Sequence, residues 1–162
     1  PTWIEQEEWL GSNLTKQYPL QLISGQPHNR LHSQLDNGSE SQNYKILGRE
    51  PIKIHPQDAQ SRGLINGDIV EVFNKRGKCL AGVIISNEVM KGVVFLAVGA
   101  WYDPINDGDF CIHGNPNVLT EDIGTSSLAQ GPTAHSTLVE IKKYTKELPE
   151  INILHKPSIV NK

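Results

Sequence analysis

Apolar positions in this chain fall in short runs separated by polar, glycine- and proline-rich stretches, a pattern that predicts strands and turns. Pro19-Leu20-Gln21-Leu22-Ile23 alternates enough to predict a first strand. Pro51-Ile52-Lys53-Ile54-His55 predicts a second, with Ile52 and Ile54 on its inward face. Three more are predicted at Asp68 to Phe73, Lys78 to Ser86 and Val93 to Val98, joined by turns at Asn74-Lys75-Arg76-Gly77 and 87–92. Leu138-Val139-Glu140-Ile141 predicts the last. The run Cys79, Leu80, Ala81, Val83, Ile84, Ile85 has almost no polar interruption, so these strands are either buried on both faces or closed into a small barrel. Pro56 to Arg62 predicts a short helix, opened by proline and stopped by Gly63, and Asn66-Gly67 is the strongest turn signal. Pattern alone gives a mainly β fold, an all-β or β-rich α+β barrel.

Three regions escape the pattern. Residues 1–17 carry Trp3, Ile4, Trp9 and Leu10 among acids; Glu5 to Leu10 suits either a helical turn or an arm that lays its tryptophans on a larger body. Asp36 to Gln42 is turn-rich, and Trp101 to Thr137 is long, polar and without strong periodicity, which in a compact domain marks function or disorder. The tail after Tyr144 has no clear pattern.

Composition narrows the partners. With 162 residues the chain suits one domain with a real core, and 14 glycines and 10 prolines suit many turns. A formal net charge of −3 gives no nucleic-acid footprint. No apolar stretch approaches a membrane span, and no signal-peptide pattern is visible. The sequence starts at Pro1, so a preceding portion is expected. Cys79 lies in an apolar run, where a buried free thiol is the usual outcome. Cys111-Ile112-His113 is too few ligands for zinc, and Asp103, Asp107 and Asp109 lack calcium-loop spacing and read as a solvated acidic loop.

Candidate chemistry concentrates in Ser24-Gly25-Gln26-Pro27-His28-Asn29-Arg30-Leu31-His32-Ser33-Gln34, directly after the first strand. The loop is rich in hydrogen-bonding groups of every type, as a binding loop for a polar, anionic ligand would be. Arg30 is its natural anion anchor, because a guanidinium fork pairs with phosphate oxygens at two points. Asn115, Asn117, Thr120, Thr125, Ser126, Gln130 and Thr133 form a second polar cluster. Neither cluster has the Gly-x-Ser-x-Gly elbow or the placed acid of a serine hydrolase. Gly38-Ser39, the pair at which barrel decarboxylases cleave themselves, lies in an ordinary polar turn.

The run Gln26 to Gln34 resembles the pterin-gripping loop of the dimethyl sulfoxide reductase family of molybdenum enzymes. The resemblance extends, in order, through His55-Pro56-Gln57-Asp58-Ala59, Arg62-Gly63, Asn66-Gly67-Asp68-Ile69-Val70, Phe73-Asn74-Lys75-Arg76-Gly77, Gly99-Ala100-Trp101-Tyr102-Asp103-Pro104, Asn117-Val118-Leu119-Thr120 and Gly124 to Gly131. It covers nearly the whole chain and points to the C-terminal molybdopterin-dinucleotide-binding domain of the trimethylamine N-oxide, dimethyl sulfoxide or biotin sulfoxide reductase branch.

The resemblance implies a six-stranded double-psi β-barrel with short peripheral helices, spanning 18–145 between an N-terminal arm (1–17) and a C-terminal tail (146–162). It implies a bis(molybdopterin guanine dinucleotide) molybdenum cofactor shared with preceding domains, which would also supply the metal ligand. Ser24, Gly25, Gln26, Pro27, Arg30, His32, Ser33, Gln34, Asn117, Ala134 and His135 are the cofactor-binding positions it assigns, with no catalytic residue and no metal ligand in this chain. Arg30, Ser33 and Asn117 are expected on one shared concave surface. The parent would be an S- or N-oxide reductase served by a membrane-bound cytochrome, periplasmic if a twin-arginine signal precedes it and cytoplasmic if it is of the biotin sulfoxide type. The fragment alone would be inactive. The competing class is a stand-alone double-psi barrel acting as a binding or adaptor module; such modules lack the Arg-Leu-His-Ser-Gln and Asn-Val-Leu-Thr segments.

Overall fold

All six predicted strands form, and they close on one another. In this computed structural model, which describes residues 2, 4–105 and 110–156, the elements run β1 (Leu20–Ile23), α1 (Ser39–Tyr44), β2 (Pro51–Ile54), α2 (Pro56–Ser61), β3 (Ile69–Phe73), β4 (Lys78–Ile85), β5 (Val93–Leu96), β6 (Pro104–Ile105), β7 (Phe110–Cys111) and β8 (Leu138–Lys143). Hydrogen bonding follows the ring β2-β5-β1-β8-β3-β4, and β4 pairs back onto β2. Two of the six pairings, β1 with β5 and β2 with β4, are parallel, with Leu22 opposite Val94 and Ile52 opposite Val83. This is the double-psi barrel that the sequence implied.

Alternation along each strand fills the barrel. Leu20, Leu22, Ile52, Ile54, Val70, Val72, Val94, Leu96 and Val139 form one buried cluster; removing each such side chain from water contributes about 1.5–3 kcal/mol. β4 is buried on both faces because its other side meets a second cluster, Ile69, Leu80, Phe110 and Ile112. Leu148 and Ile151 of the tail pack on that cluster. β7 pairs parallel with β4 and β6 antiparallel with β7, extending the sheet beyond the barrel.

Local signals worked as their physics says. His55 caps α2 by accepting the Gln57 N–H at 3.2 Å, and Gly63 ends it at φ +62°. Gly67 turns at φ +86° into β3.

Other expectations need correction. The turn-rich stretch at 36–42 runs into helix α1, which begins at Ser39. Glu5 to Leu10 makes no helical turn; a 3-10 turn forms instead at Asn13–Lys16. Asp103 is not solvated but buried, because its carboxylate accepts the Asn152 and Ile153 N–H groups at 2.7 and 3.1 Å and so fastens the tail. Asp107, Asp109 and Trp3 lie outside the described residues.

Candidate functional site

β1 delivers the chain into the polar loop at Ser24, and the loop divides at once into three environments. Ser24 is buried; its N–H donates to His135 Nδ1 at 3.3 Å, which leaves Nε2 as the donor of that exposed ring. Gly25 accepts from the Val98 N–H at 3.0 Å. Gln26, Pro27, His28 and Asn29 line a groove of about 590 Å³ with a floor of Pro51, Phe95 and Ala97 and the Lys53–Glu88 ion pair at its edge.

Arg30 turns the other way. Its side chain is fully buried, and it does not line an open surface. Nη2 donates to the Val98 carbonyl at 2.9 Å and lies 3.0 Å from Glu50 Oε1. Nη1 donates to Ser41 Oγ at 3.2 Å, and Nε lies 3.5 Å from Asp36 Oδ1. Lys45 Nζ joins the same acids, 2.9 Å from Asp36 and 2.8 Å from Glu50. Four buried charges therefore cancel in two pairs. The anion anchor expected at Arg30 is a guanidinium already committed to protein groups.

Beyond Arg30 the chain arches out. His32, Ser33 and Gln34 are exposed, with His32 at φ +49° and Leu35 at φ +60°, and the chain returns to the interior at Asp36. The arch rests on the corner at 98–101. Gly99 lies so close that a Cβ there would sit 1.8 Å from the His32 carbonyl oxygen. Trp101 brackets three groups: its indole N–H donates to the Ser33 carbonyl (2.7 Å), its backbone N–H donates to Asp36 Oδ2 (2.8 Å), and its carbonyl accepts from His113 Nδ1 (2.9 Å).

The same acids and carbonyls fix the charge states. Burial pushes the Asp36 carboxyl up, but the Trp101 N–H and the Lys45 ammonium outweigh it and hold the group below the usual range. Burial, with Lys45, pushes His113 below its ordinary value despite Trp101, Asp36 and Asp103. His113 is thus neutral at pH 7, with Nδ1 as its donor and Nε2 buried without a partner among the described residues.

Asn117 stands on the second segment, exposed in a 3-10 turn, Pro116–Val118, which Asn115 caps by accepting the Asn117 N–H at 2.9 Å. Ala134 is half-buried, and its carbonyl accepts from Thr137 Oγ1 at 3.0 Å. The structure thus joins Ser24 directly to His135 and Ser33 to Trp101; Asn117 is linked to the Trp101 network through His113 and the turn that follows it. Asp36, Lys45, Glu50 and the buried role of His113 went unread in the sequence.

The donor set fits a heterocycle with both donors and acceptors on its edge. His32, Ser33, Gln34 and Asn117 present exposed polar side chains, and Ser24 Oγ and Asn29 Nδ2 are buried without partners among the described residues. Among those residues no three His, Cys, Asp or Glu side chains converge as a metal site.

The exposed loops of this closed double-psi barrel carry donors and acceptors of the kind that a polar ring system would pair with. Residues 20–138 match the molydopterin dinucleotide binding domain, and the chain belongs to that family. It is 45% identical over 164 residues to the trimethylamine-N-oxide reductase of Haemophilus influenzae, covering 99% of this chain and 20% of that protein. It is also 45% identical over 148 residues to the dimethyl sulfoxide/trimethylamine N-oxide reductase of Rhodobacter capsulatus, covering 90% and 18%. The solved acetylene hydratase of Pelobacter acetylenicus shares the fold, with a TM-score of 0.74 at 19% identity over 89% of this chain and 21% of that one. The chain spans about one fifth of the length of these relatives.

Proposed function

We propose that this chain is the cofactor-binding domain of a larger molybdenum oxidoreductase that reduces S-oxides or N-oxides. The observation that carries the reading is the braced arch: exposed His32, Ser33 and Gln34 held from beneath by Gly99 and Trp101, inside the stretch that matches the family. His32, Ser33 and Gln34 would hydrogen-bond one pterin, and Asn117 and the Nε2–H of His135 the second. Ser24 to Gln26 and Ala134 would contribute backbone groups. Pro27, which has no N–H, shapes the loop.

The molybdenum cofactor, when bound, supplies the two-electron chemistry by which an oxide loses its oxygen, with two protons completing water. This chain's residues bind and orient it and exclude water from its pterin edges. Its two-pterin, guanine form, a membrane-bound cytochrome as electron donor, biotin sulfoxide as an alternative substrate, and a compartment set by any twin-arginine leader belong to the same reading. They rest on the motif resemblance.

The test is to produce the full-length protein in a host that makes the cofactor, then measure molybdenum, released guanine nucleotide and viologen-linked reduction of both oxide classes. Two nucleotides per molybdenum with oxide turnover are expected. A folded full-length protein without pterin would refute the reading.

A further inference from the structure

The four buried charges beneath the loop occupy the position where a phosphate anchor was expected. Arg30 has no solvent-facing side: Nη2 and Nη1 donate to protein oxygens at 2.9 and 3.2 Å, and Nε, buried without a hydrogen-bond partner among the described residues, lies 3.5 Å from Asp36 Oδ1. Both ends of the exposed arch enter the cluster, Arg30 at one end and Asp36 at the other. Between them residues 31–35 are exposed, two of them at positive φ, a conformation that persists only where its surroundings impose it.

The opposite end of the cluster holds the other segment. Glu50, paired with Arg30 and Lys45, donates its backbone N–H to the His113 carbonyl at 3.1 Å. Gly114 packs so tightly on it that a Cβ would lie 2.6 Å from the Glu50 Cβ. Asn115 and the Asn117 turn follow directly. Trp101 closes the circuit from Ser33 to Asp36 and His113. α1 contributes Ser41, and the residue that caps its C-terminus contributes Lys45, to the same cluster; the helix has no apolar stripe to hold it otherwise.

We propose that the Arg30–Asp36–Lys45–Glu50 cluster is a positioning element that sets the distance between the His32–Gln34 arch and the Asn117 turn, with Arg30 acting through Glu50 and Asp36 and never touching the ligand. The inference rests on the functional reading above, since it concerns the spacing of two pterin-facing segments.

A buried ion pair is costly to break singly and often neutral to replace as a pair. A direct ligand contact has no such partner-dependence. The test is therefore a double-mutant cycle in the full-length protein with Arg30→Met, Glu50→Gln and both together. Cofactor content per chain and melting temperature are read for each. Arg30→Met alone is expected to lower molybdenum and pterin content about tenfold, because Asp36 and Glu50 then share Lys45 as their one buried cation, and the double variant, with that excess charge gone, to return within about twofold of wild type. If the folded double variant stays as empty as the single, Arg30 contacts the ligand and the proposal falls. If the melting temperature drops while both variants stay fully loaded, the cluster only stabilises the fold, and it falls again. Should Arg30→Met not fold, the double variant decides alone: near-native loading supports the proposal and loss with a native melt overturns it. An unloaded wild-type protein would refute the functional reading itself.

Discussion

The indole N–H of Trp101 donates to the carbonyl of Ser33 at 2.7 Å, across 68 positions of sequence. That bond fastens the exposed tip of the arch to the segment that also holds Asp36 and His113. Trp101→Phe keeps an aromatic side chain and removes the indole donor together with part of the ring system. The expected loss of stability is about 1 kcal/mol, since Ser33 is exposed and water can replace the bond. The larger expected effect is faster release of the pterin from the full-length protein, measured by dilution into a scavenger. Unchanged release would show that the tip holds its place without the bracket.

Gly99 and Gly67 make a matched pair. Both have positive φ, +93° and +86°, but a Cβ at Gly99 would strike the His32 carbonyl at 1.8 Å while one at Gly67 meets nothing within 4 Å. Gly67→Ala is expected to cost about 1 kcal/mol, the left-handed penalty alone. Gly99→Ala should cost more than that, by roughly 1–3 kcal/mol, because the strained arch must move as well. Urea melts of both variants check the order.

How much of this was legible depended on what holds each element. β3, β4 and β5 were readable because their stability comes from apolar runs, and α2 because His55, Pro56 and Gly63 punctuate it. α1 was not, because Ser-Glu-Ser-Gln-Asn-Tyr buries only Ser41 and is held by polar contacts from Asp36 and Arg30. β6 and β7 have two residues each, too few for any period. In the site, composition marked 24–34 as a polar loop, and His32 to Gln34 are among its exposed residues. It could not tell an arginine facing a ligand from one facing inward; that depended on Asp36, Lys45 and Glu50, which the fold brings beneath it.

Stability should fall with acid in two stages. The folded-state values of His113 and Asp36 both lie below their ordinary ones. Each contribution is therefore complete above the unfolded-state pKa and is lost as pH drops through the lower folded one. The melting temperature should begin to decline below about pH 6.5, where an unfolded histidine starts to bind a proton. It should fall further from the ordinary carboxylate range downward, as Asp36 and Glu8 protonate; burial pushes Glu8 up, but Arg76, the Leu138 N–H and Lys75 together hold it low. In His113→Gln the first stage should vanish and the second persist. A melting temperature that rises on acidification from neutral pH would contradict the sign.

Glu8 brings the N-terminal arm onto the barrel at a point that also supports the second segment. Its carboxylate takes Arg76 Nη1 and Nη2 at 2.6 and 2.7 Å and the Leu138 N–H at 3.0 Å, with Lys75 Nζ 3.7 Å away. Arg76 Nε in turn donates to the Leu119 carbonyl at 2.7 Å, and Asn74 Nδ2 reaches both Leu119 and Leu138 carbonyls, at 2.8 and 3.2 Å. One clasp thus joins the arm, the β3–β4 turn, the residue two beyond Asn117 and the start of β8. Removing one partner leaves a charge with little water around it, since the two side chains are 6% and 17% exposed. Glu8→Leu is therefore expected to cost about 3–5 kcal/mol in a denaturant melt. Arg76→Met should cost similarly, and Glu8→Leu with Arg76→Met less than either, because no charge is stranded. If the two single losses simply add in the double variant, the pair is not coupled, and the arm is held by its apolar contacts rather than by the clasp.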